Sequence, residues 1–269
     1  MCQRLEVSRS AYHQWVKRGL SQRAQQDVLI VNQIKVIHEE YRQTYGRRRL
    51  YHALKARGIL TAQSRIARLM KENHLYAHDR RRWRPKTKAI KHGLDNHLKN
   101  IPLTQPNQAW TTDITYLKTQ QGWLYLAAVM DQYTRQIVGW AMDTRMHSSL
   151  VERALIMALQ RRRPENSVIV HSDRGSQYMS MDYQQLLRKL GFIASASQTG
   201  NCYDNATMES FWHSLKVECL YRDKIQSIEQ TRSKVFDYIE GFYNSKRAHS
   251  ALGYLSPNQF NHSSFQPSA

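Results

Sequence analysis

Apolar positions in the first quarter of the chain recur every three or four residues. Val28, Val31, Ile34 and Ile37 mark a helix from about Asp27 to Tyr41. A second follows Tyr45-Gly46, carries Leu50, Ala53 and Leu54, and ends at Gly58, a residue suited to the left-handed turn that closes a helix. A third is expected to be capped by Thr61, with Ile66, Leu69 and Met70 turned inward and Arg65, Arg68 and Lys71 outward. Ahead of these, Leu5, Val7, Ala11, Trp15 and Val16 form a stripe over residues 3–19, with Ser8 placed to cap a short helix. That piece is too small to bury a core and reads as the tail of a helix-turn-helix unit.

Near Gln108 the period changes. Trp110 to Leu117, Trp123 to Met130 and Gln136 to Asp143 read as strands, joined by connections short enough for antiparallel hairpins. A helix over Ser148 to Arg161 follows, then a strand ending at Asp173, a helix from about Tyr183 to Leu190 and a short strand near Phe192 to Ala196. Three antiparallel strands followed by alternating helix and strand predict an α/β fold. It is a ribonuclease H-like mixed sheet flanked by helices, preceded by a small all-α, helix-turn-helix-like module. The expected divisions are 1–20 (helix-turn-helix remnant), 21–77 (helical DNA-binding module), 78–107 (basic linker), 108–225 (catalytic core) and 226–269 (C-terminal helix and tail).

Charge sharpens this division. The first 100 residues carry 23 Lys/Arg against 7 Asp/Glu, the remaining 169 carry 17 against 14, and the whole chain has a net charge of +19. A basic front half on a nearly neutral back half points to a polyanion partner for the front. Arg47, Arg48 and Arg49 open the second helix, and Arg80, Arg81, Arg82 and Arg84 crowd the aperiodic linker around Trp83. Each suits a phosphate backbone, although a solvated surface or a flexible linker accounts for the same residues. No apolar run approaches a membrane span, and the N-terminus lacks a signal-peptide core. A cytoplasmic, nucleoid-associated protein is expected. Three cysteines without close pairing argue against a disulfide framework, and His74 and His78 lack the cysteine pair of a zinc module.

The chemistry is expected at three acids. Asp113 lies in the first strand, Asp173 ends the fourth, and Glu209 sits on a later helix with 35 residues between it and Asp173. Two strand acids and a helix acid converging in space make an oxygen cage for divalent metal, which suits phosphodiester cleavage and strand transfer. Lys216 falls two turns beyond Glu209, on the face shared with Trp212 and His213, where it could hold a phosphate; Phe211 and Leu215 would anchor the helix to the sheet. Each acid also has a structural reading, as turn cap, exposed strand residue or surface ion pair. Asp131, Asp204 and Glu218 compete as a hairpin acid, an N-cap and an acid off the Glu209 face. His171 reads as a packed residue beside the site, because magnesium disfavours imidazole.

These segments carry a resemblance. Trp110-Thr-Thr-Asp-Ile-Thr-Tyr, Gly122-Trp-Leu-Tyr-Leu-Ala-Ala-Val-Met-Asp131, His171-Ser-Asp-Arg-Gly-Ser-Gln-Tyr178, Gly200-Asn-Cys-Tyr-Asp-Asn205 and Glu209-Ser-Phe-Trp-His-Ser-Leu-Lys-Val-Glu218 resemble the retroviral-integrase-like core of bacterial insertion-sequence transposases. The likeness is to the second-frame (OrfB-type) product of the IS-three family. Tyr243-Asn-Ser-Lys-Arg-Ala-His-Ser250 and Leu255-Ser-Pro-Asn-Gln-Phe260 resemble its C-terminal signature, and Tyr45-Gly46-Arg47-Arg48 its preceding helical module. The resemblance implies a DDE triad at Asp113, Asp173 and Glu209, two Mg²⁺ ions with Mn²⁺ as a substitute, and a basic role for Lys216. It implies that water frees a 3′ hydroxyl at an element end and that this hydroxyl then attacks DNA directly. Its expected partners are element ends and target DNA, further copies of the chain on that DNA, and an upstream-frame product or fusion, since this chain has no heptad run. A ribonuclease H-like nuclease or resolvase, and a non-catalytic DNA-binding remnant of a transposase, are the alternatives.

Overall fold

Helices give way to sheet where the sequence period changes. The computed structural model describes residues 2, 4, 6–77, 96–98, 101–196, 205–222 and 226–264. The chain divides into two compact units, Met1–Ala77 and His78–Ala269. The linker arginines Arg80, Arg81, Arg82 and Arg84, together with His78 and Asp204, lie outside the described residues.

In the first unit, α1 (Arg9–Lys17) is capped by Ser8, whose Oγ accepts from the Ala11 amide, and none of its residues is buried. Helix α2 (Gln22–Glu40) starts five residues earlier than its apolar pattern, because Ser21 supplies the cap and accepts from the Ala24 amide. Helices α3 (Arg47–Ala56) and α4 (Gln63–Glu72) complete a bundle around Ile34, Ile37, Tyr45, Leu50, Leu54 and Ile66, all buried. Gly58 adopts the expected left-handed conformation after α3 (φ 77°). Two expectations for α4 fail. Thr61 lies one residue too early, so Ala62 occupies the cap position and no side chain caps the helix. Arg65 and Arg68 do not simply face solvent: each reaches Asp27 of α2 at 2.7 Å and fastens one helix to the other. The two guanidinium hydrogen bonds, Arg68 first, hold the Asp27 carboxyl below its ordinary range.

The second unit is a five-stranded mixed sheet in the order β3-β2-β1-β4-β5. Strands β1 (Ala109–Thr119), β2 (Gly122–Asp131) and β3 (Ile137–Asp143) are antiparallel neighbours; β4 (Ile169–Ser172) and β5 (Ile193–Ala196) run parallel to β1. This is the ribonuclease H-like arrangement. Helices α5 (Ser148–Arg162) and α6 (Met181–Lys189) bury Leu150, Val151, Leu155 and Leu187 with Trp110, Val129, Val138 and Val170 on one face of the sheet. Gly139 makes this packing possible: a Cβ there would stand 2.2 Å from the Ala154 carbonyl oxygen, so α5 approaches β3 backbone to backbone.

The opposite face receives α7 (Ala206–Leu215), which continues as a π-helical turn over Lys216–Leu220. Helix α8 (Ile228–Phe236) likewise runs on as a π segment, Asp237–Tyr243, where the sequence period suggested one regular helix. Residues 226–264 are bound into the core. Asn244 grips the border strand, its side-chain oxygen accepting from the Ile137 amide and its amide nitrogen donating to the Ile137 carbonyl, both at 2.9 Å. Trp140 Nε1 donates to Glu240 (2.7 Å), Arg232 to the Met142 carbonyl (3.0 Å), and Gln136 to Asn258 of α9 (Pro257–Ser264; 3.0 Å).

Candidate active site

The parallel pairing of β1 with β4 aligns two of the three acids. Thr111 is the register partner of His171. Asp113 and Asp173 each lie two residues further along, so the pairing brings both acids to the same end of two neighbouring strands. β4 ends at Ser172, so Asp173 stands at its C-terminal end, exposed, in a turn where its Oδ1 accepts from the Gly175 amide at 2.9 Å. A Cβ on Gly175 would meet Asp173 Oδ1 at 3.0 Å, so a side chain there would press on the carboxylate.

Asp113 is half-buried and held at both oxygens. Oδ1 accepts from the Ile114 amide at 2.8 Å, and Oδ2 accepts from the Trp212 indole at 2.9 Å. Trp212 belongs to α7, which also presents the exposed Glu209 in its first turn, so this hydrogen bond joins strand acid to acid-bearing helix. Burial pushes the Asp113 carboxyl up to about 7, and the negative charge of Asp173 adds to it; the Trp212 and Ile114 hydrogen bonds oppose, and the Glu209 charge raises it further. Asp113 therefore senses both of the other expected acids. Among the described residues no three His, Cys, Asp or Glu side chains close into a ready-made metal shell. The acids form an open, mutually repelling set, as like charges do without a cation between them. An all-carboxylate donor set of this kind fits a hard divalent cation.

Lys216, at the first residue of the π turn, places its ammonium 5.4 Å over the Tyr116 ring. Burial lowers its pKa while Asp113 raises it, which puts the cation within reach of the acids. His171 is fully buried with Nδ1 2.9 Å from Ser195 Oγ, and takes a packing role. Asp131 is equally buried and caps its own turn, accepting from the Asn107, Tyr133 and Thr134 amides. In the helical unit Arg47 and Arg48 are exposed around Gly46, whereas Arg49 is engaged with the Thr44 carbonyl and the Tyr45 ring.

Two features escape the sequence pattern. Trp212 could be placed on the Glu209 face by helical spacing, but nothing in the spacing gives its partner. Glu218 points off that face, as expected, into a buried pair. Its oxygens accept from Arg247 Nη2 (2.7 Å) and Nε (2.8 Å) and from the Tyr238 hydroxyl (2.7 Å), while Arg247 Nη2 also donates to Ser214 Oγ (2.9 Å). Burial lowers the Arg247 pKa, but Glu218, Tyr238 and Tyr243 together raise it above its ordinary value. α7 is thereby locked to the C-terminal segment nine residues beyond Glu209.

Comparison with known proteins agrees with this geometry. Residues 104–202 and 209–265 match two families each described as an integrase core domain, and residues 25–83 match an HTH-like domain. The "Insertion element IS600 uncharacterized 31 kDa protein" of Shigella sonnei is 44% identical, with 97% of both chains covered. "Transposase InsF for insertion sequence IS3A" of Escherichia coli (strain K12) is 42% identical over 97% of this chain and 92% of that one. The chain belongs to the IS3-type insertion-sequence transposases. A simian T-cell lymphotropic virus intasome chain shares the fold, with a TM-score of 0.52 at 18% identity over 81% of this chain and 72% of that one. The transposase is thus a polynucleotidyl transferase with DNA as its partner. No described helix is long and apolar enough to cross a membrane.

Proposed function

We propose that Asp113, Asp173 and Glu209 carry the chemistry of this transposase, with Mg²⁺ held among their oxygens as a pair of ions and Mn²⁺ able to replace it. The observation that carries the reading is the β1–β4 register, which sets Asp113 beside Asp173 while the Glu209 charge reaches the same carboxyl. When bound, the ions supply activation of an attacking oxygen and stabilisation of the leaving 3′ oxygen in an in-line displacement. Asp113 and Asp173 define the position of the scissile phosphate from two adjacent strands. Glu209 closes the set from α7, and the Trp212 indole fixes the rotamer of Asp113 so that its remaining lone pairs face inward. Lys216 holds a non-bridging phosphate oxygen of the bound strand. The same site first cleaves at the 3′ end of the element and then directs the freed hydroxyl to attack DNA.

Arg47 and Arg48 contact phosphates of the element end, joined by the linker arginines Arg80, Arg81, Arg82 and Arg84. The helical module over 21–77 docks the element, the core over 108–225 performs the chemistry, and the C-terminal segment proposed to start at 226 braces the core through its described residues, 226–264. The protein works in the cytoplasm at the nucleoid, as several copies on DNA and together with an upstream-frame product or fusion.

Reversal of strand transfer on a branched DNA, with Mg²⁺, tests the assignment, because the branch already places the reacting 3′ hydroxyl. Wild type resolves the branch, whereas Asp173→Asn and Glu209→Gln fall to background while still binding DNA. Resolution by either variant at the wild-type rate would remove that acid from the site.

A further inference from the structure

β4 pairs with β1 only at Ala109, Trp110 and Thr111. Beyond Thr111, β1 continues to Thr119 with β2 as its one sheet partner among the described strands, so the strand that carries Asp113 projects past the sheet. Tyr116 and Trp123 stand on this projection. They lie on one face of the ladder, since Tyr116 pairs with Tyr125 and Lys118 with Trp123. Their ring centroids are 5.4 Å apart at 88°, and they remain 50% and 49% exposed. Single exposed aromatics are ordinary on any surface. A half-exposed pair bordered by two lysines is not. The Lys216 ammonium lies over the Tyr116 ring, and Lys118, directly across from Trp123, is exposed.

The projection is also braced. At its hairpin tip the Gln120 amide donates to the Gln226 carbonyl (2.9 Å), and Gln121 Oε1 accepts from the Ile228 amide (2.9 Å). The aromatic pair is therefore presented by anchored backbone. Half-exposed aromatic rings among cations are the composition of a surface that stacks unpaired bases while holding their phosphates. Asp113 and Tyr116 lie three residues, about 10 Å, apart along β1 and on opposite faces of its pleat. Lys216, which lies over the Tyr116 ring and follows the helix that bears Glu209, joins the two sides at the open edge of β1. A DNA strand advances about 3.4 Å per nucleotide, so one that rounds this edge from Asp113 meets the pair about three nucleotides on.

We propose that Tyr116 and Trp123, flanked by Lys118 and Lys216, form a stacking platform for an unpaired base of the DNA strand that bears the reacting 3′ end. The platform holds that strand open where it rounds the edge of β1 past the acids, through the π-face of the base and thus with little regard to its identity. This inference rests on the placement of the scissile phosphate at Asp113, and its test separates the two.

The experiment uses the full chain as Asp113→Asn, so that the substrate is not consumed, with branched DNA carrying 5-iodouracil at each of the first four positions from the reacting 3′ end, or at matching positions of the target strand. Irradiation joins iodouracil to an aromatic side chain stacked on it, and peptide mapping locates the link. Links to Trp123 or Tyr116 from the 3′-end strand are expected, and Trp123→Ala is expected to bind branched DNA about 5- to 100-fold more weakly, with Trp123→Phe restoring most of the affinity and blunt duplex affected little. Links elsewhere, links from the target strand alone, or equal loss on branched and duplex DNA overturn the platform. Strand-transfer reversal by Asp113→Asn itself, run in parallel, reports on the acid assignment alone: retained activity there removes Asp113 from the chemistry whatever the cross-links show.

Discussion

Two charge clusters lie on the same helical run, nine residues apart, and they are built on opposite principles. Around Glu218 every charge has a partner: Arg247 is bidentate to the carboxylate, with Tyr238 and Ser214 completing the set. Around Glu209 three acids face one another with only Lys216 within reach, and Asp113 is driven up to about 7 by burial and by its acidic neighbours. The first cluster is satisfied by the chain itself, whereas the second leaves like charges unbalanced. Such unbalanced carboxylates are what the proposed metal site would use, although both clusters present acids from one helical run.

The largest test of this contrast is Arg247→Ala. It strands Glu218 among buried groups and should cost about 3–5 kcal/mol in denaturant unfolding, whereas replacing both partners together by apolar residues of similar volume should cost far less. A small loss in the single variant would mean that Glu218 is solvated in solution. Next is Trp212→Phe, which removes the indole donor to Asp113 and keeps the packing. Mg²⁺ affinity by calorimetry should weaken about 10- to 100-fold with thermal stability little changed.

At the acid cluster, substitution should stabilise. Asp113 has a folded pKa of about 7 against an ordinary 3.8, so the folded state binds the extra proton between those values. Its protonated form favours folding at low pH, and that contribution is lost as pH rises through 7. In chelator at pH 8, Asp113→Asn should therefore be more stable than wild type by on the order of 1–2 kcal/mol, allowing for solvent at the open mouth, with the gap closing toward pH 4. A wild type that is the more stable at pH 8 would contradict the frustrated cluster. The smallest effect is expected at the exposed pair Arg153–Asp143: Arg153→Ala should change stability by under about 1 kcal/mol, because solvent screens that pair.

Much of this site was legible in sequence because its geometry follows short-range rules. Apolar pattern and turn spacing locate β1, with Asp113 inside it, and β4, with Asp173 just past its end. What stayed hidden is contact between residues far apart in the chain. Glu218 meets Arg247 29 positions later, beyond another helix, so helical spacing gives its direction and not its partner. The partner of the Trp212 indole lies 99 positions away, and no local pattern encodes that distance. Arg65 and Arg68 look like free cations on a helical wheel, yet Asp27, some 40 residues earlier, claims both.

Asn244 has a consequence for assembly. A border strand offers unpaired backbone on which a neighbour's strand can grow, and proteins that crowd together must blunt it. Here the amide of Asn244 stands in for a peptide group and takes both polar atoms of Ile137, while Arg232 occupies the Met142 carbonyl. The C-terminal segment thus acts as a sixth strand written in side chains. A second copy could add a strand along β3 only by displacing these side chains from Ile137 and Met142.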